Sequence, residues 1–148
     1  MIGGKLKDLL TKENIVVRVN ADNWERAVRI CGDLLVQNGC VEEEYVESAV
    51  QMVEERGAYV VVSPGLAVCY ASSDCGVKEL GMSLITLEKS VCFGNRYNDP
   101  VKIIICLAAV DDISYIKILH LVLKKIHDGS IDKIANARDL DGILKLLH

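Results

Sequence analysis

The sequence predicts an α/β fold in which helices cover both faces of a central sheet. Short β-branched runs alternate along the chain with segments whose apolar residues recur at helical spacing. One run, Val101 to Val110, is apolar throughout except at Lys102, the pattern of a strand buried on both faces. An apolar fraction of 51 % over 148 residues supplies a full core for one domain, residues 1–148.

Lys5 to Leu10 reads as a short opening helix, and Ile15 to Val19, rich in β-branched residues, as the first strand. Asn20 and Asp22 offer helix caps before Trp24. Trp24, Ala27, Val28, Cys31, Leu34 and Leu35 then fall on one helical face, and Gly39 supplies the stop. Glu42, Glu43 and Glu44 open the next helix, where acidic side chains complement the positive end of the macrodipole. Its buried stripe is Val46, Ala49, Val50 and Val53, and Gly57 ends it.

A strand from Tyr59 to Ser63, a break at Pro64-Gly65 and a second run from Leu66 to Val68 follow. The chain then turns to small and polar residues, Cys69 to Gly76. Strand, break, strand and small-residue loop hold one side chain at the rim of a sheet, here Cys69 or Tyr70. Gly81 to Leu87 reads as a strand and Val91 to Phe93 as a shorter extended piece. Beyond the buried strand, Asp111-Asp112 caps a helix from Ser114 to His127, ended by Gly129. Short helices beginning at Ser130 and at Ala137 close the chain.

The formal net charge of −4 gives no electrostatic footprint for nucleic acid. The longest apolar run, Ile103 to Val110, is too short to span a bilayer, and the N-terminus lacks the apolar segment of a signal peptide, so a cytoplasmic location is expected. None of the six cysteines forms C-x-x-C, and no histidine stands at zinc-ligand spacing from a cysteine pair. No metal or cofactor is expected. His120, among apolar neighbours on a helix face, reads as packed, while His127 suits a helix C-terminus and His148 is terminal.

Several blocks together resemble one family: Gly57 to Val68, Gly76-Val77, Leu84 to Leu87, Asn98 to Val101, and Ala108 to Asp111. The chain is similar over nearly its whole length to enzyme IIA of the bacterial sugar phosphotransferase system, in the mannitol/fructose superfamily and nearest its ascorbate branch. The resemblance implies a three-layer sandwich with a central mixed sheet. It also implies a rim stretch G-L-A-[MLV]-P-H whose histidine carries a phosphoryl group. In this sequence Cys69 stands for the proline and Tyr70 for the histidine, and Tyr115 stands where a second, phosphate-binding histidine follows the A-A-V-D block. The binding surface the resemblance implies comprises Pro64, Gly65, Cys69, Tyr70 and Tyr115.

The replacements change the chemistry. Imidazole is neutral and nucleophilic near pH 7, so it accepts and releases a phosphoryl group. A phenol titrating near ~10 is a poor nucleophile without a base beside it, and its phosphate ester is reluctant to pass the group on. Three functions compete on this footing. The first is a regulatory or docking module that has lost its phosphoacceptor and binds the histidine-containing phosphocarrier protein, enzyme IIB, a domain of a transcription regulator, or a second copy of itself. The second is a working phosphocarrier for ascorbate or a related sugar that uses Cys69 or Tyr70. The third is a thiol sensor pairing Cys69 with Cys75, which requires the Cα atoms to come within about 7 Å.

Overall fold

The computed structural model describes residues 9–71, 74–129 and 131–147, and among them one strand and two helices are followed by four strands and then three helices. The chain runs β1 (Ile15–Val19), α1 (Trp24–Gln37), α2 (Glu43–Val60), β2 (Val61–Ser63), β3 (Leu66–Tyr70), β4 (Gly81–Val91), β5 (Val101–Ala108), α3 (Asp112–Gly129), α4 (Ile131–Ala135) and α5 (Leu140–Leu147). Most of the expected opening helix, residues 5–8, lies outside the described residues.

The cap of α1 is Asn23, not Asn20 or Asp22. Its extended backbone and its side-chain oxygen, which accepts the Arg26 N–H at 2.9 Å, place it one residue before the first helical turn. The expected apolar stripe is buried from Ala27 to Leu35, with Trp24 half-buried at its start, and Gly39 follows the helix at φ +78, a conformation that favours glycine.

Gly57 does not end α2. The chain departs from helical geometry at Arg56 (φ −136, ψ 32) and resumes through Val60, so the strand expected from Tyr59 begins only at Val61. Gly57 serves close packing instead: a Cβ there would lie 2.8 Å from the Phe93 carbonyl oxygen. The two extended pieces expected between Gly81 and Phe93 are one strand, because β5 runs antiparallel alongside and pairs as far as Val91 with Val101.

The sheet order is β1-β4-β5-β3-β2, with β1 parallel to β4, β4 antiparallel to β5, β5 parallel to β3, and β3 antiparallel to β2. This is the mixed sheet of a three-layer sandwich. Strand alternation sorts the side chains into two cores. Ile104, Cys106 and Ala108 of β5 face the layer of α1 and α2, while Ile103, Ile105 and Leu107 face α3, α4 and α5.

The two ends of the sheet differ. At one end β3 and β5 finish at Tyr70 and Ala108, where β4 begins at Gly81. At the other, the Pro64-Gly65 turn meets the loop before β5. There the Asp99 carboxylate accepts the backbone N–H groups of Phe93, Gly94 and Asn95 at 3.0, 2.9 and 2.9 Å. The Gly65 N–H donates to the Asn98 carbonyl at 3.0 Å, tying turn to loop.

Candidate functional site

The structure brings together Tyr70 and Tyr115. Tyr70 is the last residue of β3 and pairs in register with Leu107 of β5. Tyr115 lies in the first turn of α3, which Asp111 caps by accepting the Ser114 N–H at 2.7 Å. Their ring centroids are 4.5 Å apart and the planes tilt by 39°, which puts the two rings in contact. Both side chains are half-buried. Burial first, and then the neighbouring Tyr70 phenol, push the Tyr115 hydroxyl far above its ordinary value, so it stays protonated. The same N–H that Asp111 caps holds its carboxyl below the usual range, so it stays ionised.

Two hollows flank Tyr70. A small one of about 50 Å³ is lined by Tyr70, Ala71, Leu107, Ala109, Asp111, Asp112 and Tyr115. A groove of about 400 Å³ opens on the other side, lined by Met52, Arg56, Tyr59, Val60 and Tyr70. It exists because β2 is three residues long and leaves the outer edge of β3 uncovered toward Tyr70, where the last turns of α2 pass.

Beneath the site stands a residue that sequence reasoning passed over. Tyr45 of α2 is wholly buried, and its hydroxyl donates to the Leu107 carbonyl at 2.7 Å, anchoring the strand end that faces Tyr70. Burial drives its phenol well above the ordinary range. The available signal is spacing: Tyr45 stands four residues before Ala49, on the face of the expected stripe.

Other candidates fall elsewhere. Cys69 is not a rim side chain. Strand β3 continues through Tyr70, so alternation turns Cys69 to the opposite face, where it is 0 % exposed. There it packs with Cys31 and Cys106, and the hydrogen bonds that Cys106 shares with Cys31 and with Cys69, followed by burial, push the Cys106 thiol well above its ordinary value. Pro64 and Gly65 lie at the other end of β3, separated from Tyr70 by about 13 Å of strand. Cys69 and Cys75 are both free thiols, with the Cys75 sulfur 3.8 Å from the Asp74 carboxylate. His120 is exposed rather than packed, and the side chains of His127 and His148 lie outside the described residues. Among the described residues, no group of three or more His, Cys, Asp or Glu is arranged to hold a metal. No described helix is long and apolar enough to cross a membrane.

Residues 8–148 match the family described as "Phosphoenolpyruvate-dependent sugar phosphotransferase system, EIIA 2". The chain is 36 % identical over 146 residues to the ascorbate-specific PTS system EIIA component of Salmonella typhimurium, covering 97 % of this chain and 95 % of that protein. Among solved structures, the mannitol-specific cryptic phosphotransferase enzyme IIA CmtB of Escherichia coli superposes with a TM-score of 0.85 at 24 % identity, over 97 % of both chains. Enzyme IIA for mannitol from Escherichia coli, in complex with phosphorylated enzyme IIB for mannitol, gives a TM-score of 0.79 at 24 % identity, over 94 % of this chain and 98 % of that one. Sequence and fold agree across the length of the chain, which belongs to the EIIA 2 family of the phosphoenolpyruvate-dependent sugar phosphotransferase system.

Proposed function

We propose that this chain is an enzyme IIA-type domain, residues 1–148, that works in the cytoplasm as a docking or regulatory module and does not shuttle phosphate. The observation that carries the reading is the contact between Tyr70 and Tyr115. These residues stand where the family resemblance implies two histidines, and the pair fills the rim with phenol rings in place of imidazole. The small hollow beside them supports the same reading. It is lined by the carboxylates of Asp111 and Asp112 with no cation among its described residues, so a phosphoryl dianion there meets like charge.

The surface around the rim suits a protein contact. Tyr59, Ile113, Ile116 and Val110 are exposed large apolar side chains on the segments flanking Tyr70 and Tyr115. The mannitol relative's complex with phosphorylated enzyme IIB supports an enzyme IIB-type partner. The phosphocarrier protein, a regulator's domain and a second copy of the chain are the other candidates.

A second reading, in which the chain accepts phosphate on Tyr70, draws on the half-exposed position of that side chain at the rim. Cys69 has no such support, since a phosphoryl group on its thiol would be an unpaired charge inside an apolar layer. The two readings separate in one assay. The protein is incubated with phosphoenolpyruvate, enzyme I and the phosphocarrier protein, and intact mass is read alongside Tyr70→Phe and Cys69→Ser. Unchanged mass is expected throughout, with retained binding to enzyme IIB by titration calorimetry. A phosphate adduct on the parent chain that vanishes in Tyr70→Phe would replace the docking reading with the carrier one.

A further inference from the structure

We propose that Tyr70 and Tyr115 form a site of intramolecular oxidative coupling, a dityrosine bond that staples the end of β3 to the first turn of α3. The inference rests on the placement of the two rings and not on what the domain does for its partner. Their centroids are 4.5 Å apart, with planes tilted by 39°. A carbon–carbon bond between two phenol rings holds their centres at nearly this separation. Coupling therefore asks the rings to slip and turn while strand and helix stay where they are.

The surroundings favour the same outcome. Both side chains are half-buried, so an oxidant in solvent can draw an electron from the pair, while the radicals are shielded from encounter with another molecule. Tyr59 and Tyr97 are 83 % and 84 % exposed and have no such restriction. Tyr45, the remaining tyrosine, is sealed in the core with its hydroxyl committed to the Leu107 carbonyl.

The step balances with a peroxide as the terminal oxidant, delivered by a haem peroxidase. Each phenol gives up one electron and its hydroxyl proton to become a tyrosyl radical. The two radicals join through ring carbons ortho to the oxygens. The hydrogen on each joined carbon then moves to the neighbouring oxygen, which restores two phenols. Two protons and two electrons have left the protein, and one peroxide has become two waters.

The test uses the full chain at low concentration in a Tyr59→Phe/Tyr97→Phe background, treated with haem peroxidase and hydrogen peroxide. Monomer is isolated by gel filtration, then digested with trypsin. The expected result is dityrosine fluorescence in the monomer and a joined pair of peptides, one ending at Lys78 and the other at Lys117, two hydrogens lighter than their sum. In that background Tyr70 and Tyr115 are the tyrosines of those peptides. Tyr70→Phe and Tyr115→Phe keep the ring packing, and each alone is expected to abolish both signals, with folding verified by circular dichroism. Monomer fluorescence that survives in Tyr115→Phe would overturn the assignment. So would peroxidase turnover on the folded protein that yields dityrosine only in dimers.

Discussion

Replacing Tyr45 by phenylalanine deletes a single oxygen and leaves the ring in place. In the folded chain that oxygen is wholly buried and donates to the Leu107 carbonyl at 2.7 Å. Deletion creates almost no cavity, so the cost lies in the lost hydrogen bond and in the buried carbonyl left without its donor, about 1–3 kcal/mol. For a chain of this length the entropy of unfolding converts each kcal/mol into about 3 °C of melting temperature, so Tm is expected to fall by about 3–9 °C. Differential scanning calorimetry measures this directly, with Tyr97→Phe as the matched control because its hydroxyl stands on a side chain that is 84 % exposed. A Tyr45→Phe protein that melts with the control would mean that the Leu107 carbonyl does not depend on this bond, and the account of how α2 fixes the rim would fail.

Alkaline pH offers a second test. Tyr45, Tyr115 and Cys106 are all raised above their ordinary values of 10.0, 10.0 and 9.0. A raised acid holds its proton more tightly folded than unfolded, so its stabilisation is complete below the unfolded value and is lost as pH rises toward the folded one. Stability from urea melts is expected to be level with respect to these groups at neutral pH and to decline above pH 9–10, with Tyr45→Phe flattening the slope by one proton; an unchanged slope in that variant would rule Tyr45 out as a contributor. Packing supplies a third. A Cβ on Gly81 would lie 2.7 Å from the Cys40 sulfur and 3.2 Å from a Leu35 methyl, so Gly81→Ala is expected to cost about 1–3 kcal/mol by chemical denaturation.

Patterns that depend on neighbours in the chain are legible in the sequence itself. The 3.6-residue recurrence from Trp24 to Leu35 marks α1, and the apolar run broken only at Lys102 marks β5 with helices on both sides. Features set by where an element stops are not legible in this way. Reading the strand as ending at Val68 puts Cys69 in a loop, and two more residues of β3 send it into the opposite core. Gly57 looks like a terminator because glycine often is one, whereas its purpose is contact with Phe93, a residue no local pattern connects to it. Tyr70 and Tyr115 become visible as a pair only through family resemblance, since periodicity is silent on which strand end meets which helix turn. The groove lined by Met52, Arg56, Tyr59 and Val60 has no signal of its own, because it arises from the shortness of β2.

Strands β3 and β5 pair without interruption from Leu66 with Ile103 to Tyr70 with Leu107. Main-chain hydrogen bonds, which are blind to side-chain identity, therefore fix the coordinates of position 70. Whatever amino acid a mutation writes there is delivered to the same place, facing the same helix turn. The rim is in this sense an address maintained by the backbone, with its occupant free to change while the mail still arrives. A lineage can exchange one chemistry for another at that address without renegotiating the fold, and a single codon change suffices to try the exchange in either direction.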